Sequence, residues 1–167
     1  MYGLGVLKGL WVTIKNFTLS YFTRKRLTTV QYPEERITLS EHARTFPILV
    51  YDESPDKLRC VACEICAKEC PPKCISIVRA QDEAGKPLKQ PKFFDIDYSV
   101  CMNCGICEEV CPFDSIYMDR QFELSAYERS EEFLYTKDRL AKSAEYFSKI
   151  RPETAKKVEE KRKAKEK

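Results

Sequence analysis

From Tyr2 to Phe22 apolar residues recur at spacings of three and four, so Leu4, Leu7, Leu10, Trp11, Ile14, Phe17 and Tyr21 share one face of a predicted helix, with Lys8, Lys15 and Asn16 elsewhere on it. The basic residues Arg24, Lys25 and Arg26 follow directly. The face is rich in aromatics and flanked by lysines, and no uncharged run approaches the roughly 18 residues of a membrane span. Such a helix is expected to lie in a membrane interface or against a membrane subunit; the competing expectation is a stripe packed on the protein's own core. Residues 27–47 contain Pro33 and scattered charges without a sustained period, and predict an extended arm laid over a partner.

Beyond the arm the period shortens. Ile48–Tyr51 reads as a short strand, Ile75–Val78 and Phe93–Ile96 as an antiparallel pair joined through a polar stretch with Asp82, Gly85 and Pro87, and Ile116–Met118 as a further strand. From Thr136 to Ile150 the residues Leu140, Ala144 and Phe147 return to helical spacing, and Pro152 is expected to stop that helix. Glu153–Lys167 is mostly lysine and glutamate with almost nothing to bury, and is expected to be a solvated helix or a disordered tail.

Charge adds an asymmetry that the hydrophobic pattern lacks. Residues 1–40 carry six basic and two acidic side chains, residues 41–127 ten and fifteen, and residues 128–167 thirteen and nine, so both ends are basic and the middle is acidic. Phosphate binding needs a continuous basic surface, so a nucleic-acid partner is not expected; basic ends suit a membrane surface or acidic protein neighbours.

The candidate chemistry lies in the acidic middle. Cys60, Cys63, Cys66, Cys70 and Pro71 write the pattern Cys-x2-Cys-x2-Cys-x3-Cys-Pro, and Cys101, Cys104, Cys107, Cys111 and Pro112 repeat it at a constant offset of 41 residues. This is the bacterial-type ferredoxin spacing, in which three cysteines wrap one 4Fe-4S cubane and the fourth crosses to the other half. The expected ligand sets are therefore Cys60, Cys63, Cys66 and Cys111 for one cluster, and Cys101, Cys104, Cys107 and Cys70 for the other. Pro71 and Pro112 turn the chain away after each crossing cysteine. Gly105 lets a backbone come close to its cubane; the equivalent position in the first copy is Glu64, where closeness is expected to be achieved differently. Cys74 aligns with Ser115 and falls outside both quartets, as a small buried residue. His42 has no vacant ligand position to fill and is expected at a surface or interface.

Nine cysteines without an export signal argue against a disulfide framework and for an intracellular, reduced protein. Paired Cys-x2-Cys units can hold zinc, but two copies ending in Cys-Pro favour iron and sulfur. No Walker loop, Gly-rich dinucleotide turn, catalytic triad or HExxH motif is present, so no substrate chemistry beyond electron transfer is expected. The expected fold class is α+β, a two-cluster ferredoxin-like core with a pseudo-twofold repeat. It divides into an interface helix (1–26), an extended arm (27–47), the two-cluster domain (48–120) and a C-terminal extension, helical and then charged (121–167).

Three further pieces narrow the choice: Thr29-Val30-Gln31-Tyr32-Pro33-Glu34-Glu35 before the core, the Cys101-x2-Cys104-Gly105 loop, and Phe122-Glu123 followed by Tyr127 and Arg129. With these, roughly residues 4 to 140 resemble the two-cluster subunit I family of respiratory complex I, the NADH:quinone oxidoreductases. The family often has an Arg-Gly pair near Ala43–Phe46, where this chain has no glycine. The resemblance implies a relay between an upstream iron-sulfur subunit and the subunit holding the terminal cluster, which reduces quinone. It also implies an amino end at the membrane arm and its lipid headgroups, and a peripheral position on the cytoplasmic face of the cell inner membrane. The equivalent subunit of a membrane-bound hydrogenase or of a ferredoxin-dependent relative is the rival reading. A diffusible ferredoxin is disfavoured by the exposed apolar stripe.

Overall fold

The computed structural model describes residues 3–23, 28–128 and 132–165. The basic run Arg24, Lys25 and Arg26, and Arg129 of the family segment, lie outside the described residues. The chain divides into two compact units, 1–38 and 39–167.

In the first unit, helix α1 spans Gly3–Phe22. None of its residues is buried, and Leu7, Trp11, Ile14, Phe17 and Tyr21 all present their side chains as exposed surface. The Thr13 and Thr18 hydroxyls donate back to the carbonyls of Gly9 and Ile14, satisfying them within the helix. Among the described residues no helix is long and apolar enough to cross a membrane. The start of the arm holds a turn, closed by the Glu35 N–H donating to the Gln31 carbonyl at 2.7 Å, around a cis Tyr32–Pro33 bond.

The second unit contains two three-stranded sheets. Its elements are β1 (Pro47–Tyr51), α2 (Ile65–Glu69), β2 (Ile75–Gln81), β3 (Pro87–Asp97), α3 (Ile106–Glu109), β4 (Ile116–Met118), β5 (Leu134–Tyr135), α4 (Lys137–Leu140), β6 (Ala141–Ser143), α5 (Ala144–Ile150) and α6 (Pro152–Lys165). β2 and β3 form a hairpin in the register Ile75 to Ile96 and Val78 to Phe93. It runs on past the expected strands to a turn at Asp82–Lys86, where Gly85 takes a φ of 75°. β1 pairs antiparallel with β4, Leu49 opposite Ile116.

The C-terminal extension departs from expectation in three ways. The helix expected over Thr136–Ile150 is broken: α4 is one turn, β6 then pairs parallel with β1, and α5 follows with its amino end capped by Ser143 Oγ. The edge of β1 offers backbone hydrogen bonds to Ala141–Ser143, which helical spacing alone does not reveal. Pro152 stops α5 but also opens α6, since proline's fixed φ and missing N–H suit the first position of a helix. The lysine-rich stretch is helical and does bury something. Ala155 and Val158 pack with Val50, Tyr117 and Phe147. Burying one valine contributes roughly 1.5–3 kcal/mol.

This docking explains why β1 reads as an unbroken apolar run. Leu49 faces the main core with Phe94, Ile96, Ile116 and Met118, while Val50 faces α5 and α6. Arg162 on α6 clamps Asp52 with bonds of 3.1 and 2.8 Å, and Arg59 bonds the same carboxylate. Partial burial works to raise the Asp52 carboxyl, but the Arg162 and Arg59 guanidiniums outweigh it and hold it at about 2. The extension supplies the third strand of each sheet, β5 on β3 and β6 on β1.

Candidate iron-sulfur site

The two cysteine loops turn left-handed at the same three positions, with different side chains. Left-handed residues occur at Ala62 (φ 54°), Glu64 (φ 63°) and Lys73 (φ 51°), and again 41 positions on at Asn103 (φ 52°), Gly105 (φ 79°) and Asp114 (φ 49°). Glu64 therefore adopts the same geometry as Gly105, contrary to the expectation of a different solution there. Each precedes a short helix, α2 or α3, which carries the third cysteine of its motif inward; Cys66 and Cys107 are both buried. The room that Gly105 leaves is filled by Arg44, whose Nε would lie 3.2 Å from an added Cβ.

The eight cysteines gather around two cavities. One is lined by Cys60, Cys63, Cys66 and Cys111 together with Leu49, Ile77, Phe94 and Ile116. The other is lined by Cys101, Cys104, Cys107 and Cys70 together with Ile75, Ile96 and Met118. Cys74 also lines this second cavity, buried, with its Sγ 3.5 Å from Cys70 Sγ. His42 is exposed and lines neither.

The donor set fits a cluster better than a single ion. Among the described residues no three His, Cys, Asp or Glu side chains converge as one metal ion would require. The thiols instead surround a volume, which suits a cubane, because each cysteine meets a different iron. Burial pushes the Cys60 thiol up to about 11 and those of Cys66 and Cys107 up to about 12, so iron must displace protons to gain thiolates. The Ala62 N–H points at Cys60 Sγ at 3.4 Å, a donor that favours the thiolate. Ser115, 1% exposed, lines the first cavity, and its Oγ has no hydrogen-bond partner among the described residues. Such an orphaned buried hydroxyl is costly unless an acceptor is supplied.

Three arginines hold the loops. Arg79 on β2 donates from Nε and Nη2 to the Ala62 carbonyl, at 3.2 and 2.9 Å. Arg44 donates to the Cys104 carbonyl at 2.6 Å and pairs with Glu109 at 3.0 Å. Arg151, 3% exposed at the end of α5, pairs with Glu108 on α3 at 2.5 Å, and the other Glu108 oxygen accepts the Met118 N–H. Their signal in the sequence was slight, since no spacing relates Arg44 or Arg151 to the loops they serve. A third brace is aromatic. Phe46, Tyr98 and Tyr135 stack at 4.7 and 4.1 Å, tying the arm, the approach to Cys101 and β5 together.

A family model described as 4Fe-4S dicluster domain matches residues 59–115. The NADH-quinone oxidoreductase subunit I 2 of Geobacter metallireducens is 36% identical over 81% of this chain and 95% of its own length. The NADH-quinone oxidoreductase subunit I 1 of Geobacter sulfurreducens is 38% identical over 81% and 94%. The subunit I 2 of Streptomyces coelicolor is 36% identical over 72% of this chain, which spans 59% of that relative. The two cysteine loops, and 36–38% identity over 81% of this chain and 94–95% of the Geobacter proteins, lead to one assignment: this chain belongs to the NADH-quinone oxidoreductase subunit I family.

Proposed function

We propose that the chain is the fixed electron relay of a complex I-type NADH:quinone oxidoreductase, with Cys60, Cys63, Cys66 and Cys111 holding one 4Fe-4S cluster and Cys101, Cys104, Cys107 and Cys70 holding the other. When bound, these clusters supply two one-electron stations. The observation that carries the reading is the three-plus-one draw around each cavity, three cysteines from one copy of the motif and the fourth from the other. The side chains between the cavities do the rest. Leu49, Ile75, Phe94, Ile96 and Ile116 belong to one buried core with Cys60, Cys66, Cys70 and Cys107, which shields these four sulfurs from water and fixes the two sites side by side.

In this reading the two halves are related by a pseudo-twofold axis, a relation supported by the repeated left-handed positions and by the matching pairs β2 with β3 and β4 with β1. The chain carries no substrate chemistry of its own; an upstream iron-sulfur subunit delivers electrons and a terminal-cluster subunit receives them. Residues 1–26 lie against the membrane arm and lipid headgroups on the cytoplasmic face, and residues 28–38 of the arm lie over a neighbouring subunit, while Arg44, Phe46 and Pro47 pack within this chain. The unburied apolar face of α1 supports this placement.

Gentle isolation from native membranes tests it. An NADH-binding flavoprotein is expected to co-purify, and the chain is expected to show two four-iron clusters by EPR. A hydrogenase-type large subunit in its place would move the relay to another complex, and a colourless, zinc-bearing chain would sink the iron-sulfur reading altogether.

A further inference from the structure

Four residues after each crossing cysteine stands a small, buried side chain with one proton to donate: Cys74 after Cys70 and Ser115 after Cys111, 41 positions apart. Each lines the cavity that its crossing cysteine enters. Ser115 Oγ, in a residue 1% exposed, has no hydrogen-bond partner among the described residues, although it lines a cavity with Cys60, Cys63, Cys66 and Cys111. Cys74 Sγ is 3.5 Å from Cys70 Sγ. With four thiolates already assigned to each cavity, neither residue is needed as a ligand: Cys74 has a ligand sulfur within reach, and Ser115 has a free proton in a cavity lined by four.

We propose that Cys74 and Ser115 are a matched pair of tuning positions, whose different donors, S–H in one half and O–H in the other, set the two clusters at different reduction potentials. The proposal rests on the two-cluster assignment above. Reduction adds negative charge to a cluster and its sulfurs, so a hydrogen bond to sulfur stabilises the reduced form and raises the potential. A hydroxyl is a stronger donor than a thiol. Ser115 therefore raises the potential of the Cys60, Cys63, Cys66 and Cys111 site by more than Cys74 raises that of its counterpart. Both are positioning residues, since they act through the ligand sulfurs.

The test uses the full-length chain, reconstituted anaerobically with iron and sulfide, with iron content and cluster EPR measured before any potential. Ser115→Ala is expected to lower the midpoint of the first site and leave the second unmoved. The loss corresponds to a few-fold to about tenfold change in the reduction equilibrium, tenfold being 59 mV for one electron. Cys74→Ser is expected to raise the second midpoint, by less. The double exchange Ser115→Cys with Cys74→Ser moves the two in opposite directions. If Ser115→Ala does not hold its cluster, Ser115→Cys keeps a side chain of similar size and is still expected to lower the first midpoint. Unmoved midpoints in cluster-loaded Ser115→Cys and Cys74→Ser proteins overturn the proposal. So does loss of the second cluster in Cys74→Ala, which would make Cys74 a ligand. If the unaltered chain takes up no pair of clusters, the iron-sulfur reading itself has failed, an outcome that the iron count separates from the others.

Discussion

The two copies of the cysteine motif share a backbone but not a support. Ala62, Glu64 and Lys73 repeat the left-handed turns of Asn103, Gly105 and Asp114. The first loop is braced from within its own half, by Arg79 on the adjacent hairpin. The second is braced from the flanks: Arg44 arrives from the arm and the helix that follows the loop is pinned by Arg151 at the end of α5. Spacing thus dictates the shape of a cluster loop, while what holds it can come from anywhere in the chain. It follows that perturbing the flanks should damage the second site more than the first, and that the crossing cysteines should be the direct link between two sites that share one core.

The largest expected effect breaks that link. Cys111→Ala alters the second copy of the motif, yet it removes a thiol from the cavity of Cys60, Cys63 and Cys66, where no spare thiol stands nearby. EPR of the reconstituted chain should lose the first cluster and retain the second. The converse requires Cys70→Ala together with Cys74→Ala, because Cys74 lies 3.5 Å from Cys70. Retention of the first cluster in Cys111→Ala would disprove the crossed ligand sets.

Next in size is Arg151→Met. Arg151 is 3% exposed and its partner Glu108 has a side chain about one-fifth exposed, so removing the cation strands a partly buried carboxylate. Breaking such a pair costs roughly 3–5 kcal/mol when both charges are buried, and about 3 kcal/mol is expected here because Glu108 keeps some solvent and the Met118 N–H. Followed anaerobically in urea at the cluster absorption band, the second site should bleach at lower denaturant than the first. Simultaneous bleaching at an unchanged midpoint would show that the flank does not support it.

Gly105→Ala should weaken the second loop by less. A left-handed φ costs a residue with a side chain roughly 1–2 kcal/mol. The added Cβ would also press on Arg44 at 3.2 Å, which the flexible arginine can relieve by shifting, at the expense of its bond to the Cys104 carbonyl. Loss of about 1–2 kcal/mol in the same urea assay is the expected outcome, and an unchanged midpoint would show that the conformation there is not under strain.

How much of this could be read in the sequence depended on whether the partners were fixed by spacing. The cysteine loops were legible because a cluster constrains ligand spacing, and the hairpin of Ile75–Val78 with Phe93–Ile96 because its two runs flank a turn. The C-terminal extension was misread because its partners are remote: Ala141–Ser143 has helical spacing on both sides, and only the open edge of β1, some ninety residues earlier, makes it a strand. Ala155 and Val158 are two small apolar residues among lysines, a pattern that ordinarily marks a solvated helix, and their burial depends on Val50 and Tyr117. Ser115 was seen only as the residue opposite Cys74; its orphaned hydroxyl needed coordinates.

Glu64→Gly is the smallest effect and the sharpest comparison, because it writes the second loop's residue into the first. Glu64 makes no capping bond to α2, so no hydrogen bond to that helix is lost. Relief of the left-handed conformation favours the variant by roughly 1–2 kcal/mol, and the greater freedom of glycine in the unfolded chain takes back roughly 0.4–1 kcal/mol. A net gain below about 1.5 kcal/mol remains. Electrostatics adds a second readout. Glu64 lines the first cavity, and removing a negative charge beside a cluster makes electron uptake easier, so the first midpoint should rise while the second stays where it was. Glu64→Gln separates the two effects, since it removes the charge without freeing the backbone: the midpoint should rise with no gain in stability. If Glu64→Gly instead destabilises the first site, the two loops do not share one backbone requirement, and the equivalence of the halves fails at the position where their side chains differ most.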